Sequence, residues 1–338
     1  MTVSMLWWLI IFSVSRSSSF DLRSLTDRTK RIIYGKPINE NTDYNSPKYV
    51  VSIHYAYNCN KLCQRSPVFH ICSGSLLTPN LVQTACHCVA RFGSVMEGFQ
   101  DPVIINVWEH LYVIYVGAKV SGEPQSMARV YIHHQKCAAW GLNRLIFHDY
   151  GLIVLRTPLD SSKVAFAPLY TVKTLTTMWT KMTTKQIVCL NVGFGAFRMN
   201  GNVTDPTPST ILRHGWLRMW DYLSCYSEMS LPNSYQKHRF NYSEVATWFC
   251  SSNLSNRRDR PGVGDSGGPV TCDNEYVGLH HMSITRATTG DYRFSTSMST
   301  AFTAYENSAD FRNSLIVFVK LFDHYGPEDS LTTSVSHQ

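Results

Sequence analysis

A serine set among glycines is the residue whose surroundings most suggest chemistry. Gly264-Asp265-Ser266-Gly267-Gly268-Pro269 places a hydroxyl where missing side chains let the backbone approach a substrate carbonyl and turn two N–H groups toward it. The same composition suits an ordinary Gly-rich turn, and alone the stretch does not separate the two readings. Two further stretches shift the balance. Thr84-Ala85-Cys86-His87-Cys88 supplies a histidine beside a cysteine after an apolar strand, and Asp149-Tyr150-Gly151-Leu152-Ile153-Val154-Leu155 puts a carboxylate at the head of another. A lone His or Asp is usually structural. An imidazole, a carboxylate and a hydroxyl in the order His, Asp, Ser form a set rarely met by chance, and together they can run nucleophilic acyl transfer.

The elements that must position these groups read as β-strands. Tyr49–Tyr55, Leu111–Val116, Leu152–Leu155, Ile187–Val192 and Tyr276–Leu279 are short apolar or alternating runs broken by turn residues. Their even distribution predicts an all-β barrel or sandwich. No repeat of fixed period is visible. Phe311, Leu315, Phe318, Val319 and Phe322 recur at helical spacing, which predicts a closing amphipathic helix. The polar stretch 326–338 reads as a tail.

The chain has 338 residues, 44% of them apolar and 16% charged, a composition that excludes a disordered chain or a coiled coil. A net charge of +7 with no run of five basic residues argues against nucleic acid as a partner. Met5 to Val14 is an apolar run followed by serines around Arg16, too short to span a membrane and suited to a signal peptide over residues 1–19. In a secreted, extracellular chain the ten cysteines belong in disulfides. Cys86-His87-Cys88 sets its side chains too close together for a zinc site, and no second pair stands at zinc-finger spacing. Asn202, Asn241 and Asn253 each open an Asn-X-Ser/Thr glycosylation sequon.

These stretches resemble the chymotrypsin–trypsin family of serine proteases from about Ile32 to Phe322. Thr-Ala-Cys-His-Cys stands where that family writes Thr-Ala-Ala-His-Cys, Asp-Tyr-Gly-Leu-Ile where it writes Asp-Ile-Ala-Leu-Leu, and Gly193-Phe194-Gly195 for Gly-Trp-Gly, while Gly-Asp-Ser-Gly-Gly-Pro matches without change. The resemblance implies two packed six-stranded antiparallel β-barrels with a C-terminal helix and the site between the barrels. It implies Ser266 as nucleophile, His87 as general base and acid, Asp149 as the carboxylate that orients the imidazole, and the N–H groups of Gly264 and Ser266 as the oxyanion hole. Lys30-Arg31 before Ile32-Ile33-Tyr34-Gly35 is similar to the family's activation junction. Residues 20–31 would then be a propeptide and 32–325 the protease domain, with the freed Ile32 amine paired to Asp265. The implied disulfides are Cys72–Cys88, Cys189–Cys272 and Cys225–Cys250. The remaining Cys59, Cys63, Cys86 and Cys137 allow three pairings, of which Cys59–Cys63 with Cys86–Cys137 is preferred. Expected partners are a polypeptide substrate, an activating protease and protein inhibitors, with no cofactor or metal.

The specificity pocket departs from the family. Gly262 replaces the cysteine four residues before the nucleophile, and the partner cysteine is missing too. Arg260 stands at the pocket floor, where trypsins carry Asp, and His281-Met282-Ser283 stands for the Ser-Trp-Gly of the wall. Arg260 would select acidic side chains, or a loop shifted by one would bring Asp259 to the floor, or the pocket is closed. The last case leads to a protease homologue that binds or regulates partners outside the cell instead of cutting them.

Overall fold

A computed structural model of the chain describes residues 36–38, 48–56, 68–92, 99–100, 103–104, 111–120, 123–134, 137–140, 145–167, 181, 187–200, 203–220, 248–253, 261–273, 275–284 and 296–301. The apolar runs become strands. β1 (Val50–Ala56), β2 (Val68–Thr78), β3 (Leu81–Thr84), β4 (Leu111–Val116), β5 (Ser126–His133) and β6 (Gly151–Leu155) pair antiparallel in the order β1-β2-β3-β6-β5-β4. β4 returns to β1, so the barrel is closed. Closure removes every exposed strand edge. A one-turn helix, α1 (Cys86–Val89), follows β3.

The second half repeats this plan. β7 (Val188–Gly193), β8 (Arg213–Trp220), β9 (Trp248–Asn253), β10 (Pro269–Cys272), β11 (Glu275–Ile284) and β12 (Thr296–Ala301) pair antiparallel in the order β7-β8-β9-β12-β11-β10. β10 pairs back to β7. The two barrels therefore share one cyclic strand order, although no sequence period announces it. A short strand, Lys36–Pro37, adds to the Arg213–His214 end of β8.

Side chains fill both barrels. Val51, Ile53, Leu76, Leu81, Val82, Ile114 and Ile153 are wholly buried in the first, and Cys189, Met219, Val270, Cys272 and Val277 form the core of the second. Each such side chain contributes roughly 1.5–3 kcal/mol relative to exposure. The seam between the barrels is hydrogen-bonded. The Tyr276 hydroxyl donates to Gln83 at 3.1 Å, the Tyr49 and Thr271 hydroxyls meet at 3.0 Å, and the Ser73 N–H donates to the Ser266 carbonyl at 2.8 Å. Disulfides join Cys72 to Cys88, Cys86 to Cys137 and Cys189 to Cys272. No helix among the described residues is long and apolar enough to cross a membrane. The expected leader, propeptide, C-terminal helix and tail lie outside the described residues.

Candidate active site

One strand register brings His87 and Asp149 together. β3 pairs with β6 so that Thr84 faces Gly151. The chain leaving β3 turns at once into α1, which carries His87, while Asp149 sits two residues before Gly151 on the incoming side. The His87 backbone N–H donates to Asp149 Oδ1 at 3.0 Å, and its Nδ1–H donates to Oδ2 at 2.8 Å. Holding both a backbone and a ring N–H on one carboxylate fixes the ring's orientation and leaves Nε2 as the unprotonated nitrogen. Asp149 is fully buried, whereas the His87 side chain keeps 26% exposure, so the imidazole is open to an incoming molecule and its partner is not. The cysteines on either side of His87 are both bridged, which ties α1 to β2 and to the segment at Cys137.

Burial opposes charge on this pair, but the partners outweigh it. Asp149 is held well below the usual carboxylate range by the imidazoles of His87 and His281 despite its burial. Burial pulls the His87 imidazole down, yet the negative charge of Asp149 and the hydrogen bond to it leave His87 above its ordinary value.

Ser266 stands in a tight turn before β10. Gly264 has φ 93° and Gly267 φ 79°, left-handed values that favour glycine. A Cβ on Gly264 would also fall 2.8 Å from the His70 ring. Neighbouring carbonyls fix the peptide planes. The Val263 carbonyl accepts from Ala196 N at 2.7 Å and the Asp265 carbonyl from Gly268 N at 2.9 Å. The N–H groups of Gly264 and Ser266, which belong to those two peptides, must point away from those contacts. Among the described residues neither N–H has a protein partner. The Ser266 hydroxyl is half-buried and donates to the His281 carbonyl at 3.4 Å. Among the described residues it makes no hydrogen bond to His87.

A buried polar chain supports this turn from the first barrel. His70 Nε2–H donates to the Gly264 carbonyl at 2.9 Å, and Ser73 Oγ donates to the same carbonyl at 3.0 Å. Burial lowers the pKa of His70 to about 4, against the pull of the Gly264 bond, so its Nδ1 accepts. The directions then follow: Ser52 Oγ–H donates to His70 Nδ1 at 2.9 Å and accepts from His54 Nε2–H at 2.7 Å. Asp265 points the other way. It is fully buried, with Oδ1 accepting from Gly195 N at 2.8 Å and Oδ2 from Gly262 N at 2.7 Å. Burial pushes its pKa up to about 7, against the lowering effect of those two N–H groups.

Of the residues singled out in the sequence, His87, Asp149, Ser266, Gly264 and Asp265 converge here. The side chain of His281, expected at a pocket wall, is instead buried against Asp149, with Nδ1 3.0 Å from Oδ2. Met282 and Ser283 follow it on β11, and Cys250 and Asn253 lie on β9. Arg31, Ile32, Cys59, Cys63, Asn202, Cys225, Asn241, Asp259 and Arg260 lie outside the described residues. Sequence reasoning missed Ser52, His54, His70 and Ser73. The trace available was polar residues inside β1 and β2, whose neighbours are apolar.

The family model described as Trypsin matches residues 37–304 of the chain. A solved structure of HL collagenase is similar to it in fold, with a TM-score of 0.54 at 18% identity over 84% of this chain and 99% of that one.

Proposed function

The chain belongs to the trypsin family, a family of serine proteases, and we propose that it is a secreted serine endopeptidase acting through Ser266, His87 and Asp149. The observation that carries the reading is the geometry around His87. Its Nδ1–H is held by a buried carboxylate at 2.8 Å, which leaves the Nε2 of a partly exposed ring to take the Ser266 proton. Ser266 Oγ then attacks the substrate carbonyl. The N–H groups of Gly264 and Ser266 receive the oxyanion, and losing one such donor typically costs ~10²–10³ in rate. His87 returns the proton to the leaving amine, and water completes the cycle by attacking the acyl-enzyme. The nine-residue stretch from Pro261 to Pro269 must keep its two positive-φ glycines for this to work.

Latency, export and specificity complete the proposal. The chain is made with residues 1–19 as a leader and 20–31 as a propeptide, and cutting after Arg31 by an activating protease frees Ile32 for Asp265. Peptides with a charged residue at the cleavage site are the expected substrates, acidic if Arg260 faces the pocket and basic if Asp259 does. The test is labelling of the chain, cut after Arg31, with a serine-directed organophosphorus probe, alongside peptide hydrolysis. Wild type should label at Ser266, and Ser266→Ala should neither label nor hydrolyse while keeping its thermal midpoint. Equal rates from the two proteins would move the chemistry elsewhere. One observation favours a second reading, a binding or regulatory homologue: the Ser266 hydroxyl bonds to the His281 carbonyl and not to His87. Hydrogen bonds of this kind often form only with substrate in place, and absence of labelling would decide for the homologue.

A further inference from the structure

His281 occupies a position from which one residue reaches both ends of the proposed catalytic set. Its carbonyl accepts the Ser266 hydroxyl at 3.4 Å, and its Nδ1 lies 3.0 Å from Asp149 Oδ2, the same oxygen that accepts His87 Nδ1–H. Both His281 and Asp149 are buried, at 1% and 0% exposure. The two imidazoles sit edge to face at a centroid separation of 6.1 Å. An ionised carboxylate only accepts, so a bare ring nitrogen facing it in a buried site would be repelled; His281 must therefore present Nδ1–H. At 3.0 Å, and with both groups buried, His281 places an N–H dipole directly beside the charge. His87 and His280 are the other titratable groups coupled to this centre. His280, the neighbour on β11, is kept neutral by burial, with its pKa lowered to about 3.

Resting on the peptidase reading above, the geometry points to His281 as a positioning residue that shares Asp149 with His87. It holds the carboxylate in place and moderates the basicity of His87. A carboxylate has one charge to distribute. With His281 on Oδ2, the imidazolium that forms on His87 during reaction receives less of that charge than it would from an undivided carboxylate. In exchange Asp149 is fixed from two sides, and it in turn fixes the His87 ring.

The experiment uses the full chain and replaces His281 with Leu, which removes the donor, and with Gln, which keeps one. Two readouts are taken. The first is the low-field proton resonance of His87 Nδ1–H, assigned by its loss in His87→Gln; it needs no activity. In His281→Leu this resonance should move further downfield, and in His281→Gln it should stay near the wild-type position. The second is the pH profile of hydrolysis after cleavage at Arg31. In His281→Leu the acid limb of kcat/KM should move up by about half to one pH unit. kcat should fall by roughly tenfold as the ring loses its fixed partner, with KM within about twofold. Gln should restore most of both. Should Leu fail to fold, His281→Ala takes its place with the same expectations. An unmoved resonance and acid limb in the donor-free variant, or Gln behaving like that variant, overturns the assignment. If wild type neither hydrolyses peptides nor takes the probe, the peptidase reading falls separately, and the resonance still decides the role of His281.

Discussion

At the scale of single residues, the chemistry is governed by which charges are allowed to stay buried. Asp149 keeps its charge because N–H groups converge on it, two from His87 and one from the His281 ring, whereas burial strips His54, His70 and His280 of theirs, the pull of Asp149 on His280 being too weak to reverse it. This contrast has a measurable consequence. Burial alone would lower His87, yet its carboxylate partner leaves it above the ordinary value near 6.5. A base must be unprotonated at Nε2 to act, so activity is lost as pH falls through the His87 pKa. The acid limb of kcat/KM should therefore lie above pH 6.5, and a limb centred clearly below that would show that the Asp149 charge does not reach the imidazole as the geometry demands. The sequence disclosed the residues of this pair but not the third member. Nothing in the spacing of His281 ties it to Asp149, since the contact arises from β11 crossing beside α1 in the folded molecule.

At the scale of elements, strands buried on both faces were the most legible. β6 is buried along its whole length, so its sequence is a continuous apolar run, and Leu152–Leu155 is readable almost to the residue, as is Leu111–Val116 in β4. β3 is equally buried but ends in the polar pair Gln83-Thr84, which hides it. β5 alternates between buried and half-buried positions, and its Arg, His and Tyr residues blurred that signal. The run Tyr276–Leu279 is shorter than the strand because β11 continues through His280 and His281 to Ile284, and both histidines are buried although polar. Ser73 on β2 shows how much a small polar residue inside a strand can carry. Fully buried, it donates from Oγ to the Gly264 carbonyl at 3.0 Å and accepts from Phe194 N at 3.1 Å, while its own N–H reaches the Ser266 carbonyl. Ser73→Ala leaves the Phe194 N–H buried without that acceptor, which typically costs ~1–3 kcal/mol. The thermal midpoint should drop by several degrees. Hydrolysis should weaken about tenfold as well, because the Gly264 carbonyl, which anchors the turn between the Gly264 and Ser266 N–H groups, keeps only His70 as a donor. A loss of stability with full activity would mean that the proposed oxyanion role of the Gly264–Ser266 turn does not depend on this strand.

At the scale of the whole molecule, two barrels of the same cyclic strand order meet along a hydrogen-bonded seam, with His87 and Asp149 supplied by the first and Ser266 by the second. The shared order was invisible in the sequence because a barrel constrains only inward size and outward polarity, which many sequences satisfy. Asp265 lies at that seam and gives the molecule a pH signature that depends on whether the chain has been cut. Both its oxygens accept backbone N–H groups, no cation reaches it from the described residues, and burial lifts its pKa to about 7. For an acid raised on folding, the native state holds a proton that the unfolded state, near 3.8, has released. Its contribution to stability is therefore full below about pH 4 and is lost as pH rises through about 7. An uncut chain should accordingly show this loss across that window. If cutting after Arg31 delivers the Ile32 amine, whose ordinary pKa is roughly 8, a cation appears beside the carboxylate and the sign reverses. The ionised pair then stabilises the fold near pH 7. The cut form should melt several degrees above the uncut form at about pH 7, with the gap closing below about pH 4, where Asp265 is protonated, and again in strongly alkaline solution, where the amine is neutral. N-terminal sequencing of the cut form should begin at Ile32, Arg31→Gln should stay in the uncut class, and Asp265→Asn should abolish the pH dependence of the gap. A gap of constant size at every pH would separate Asp265 from the new amine and leave the effect of the cut to another cause.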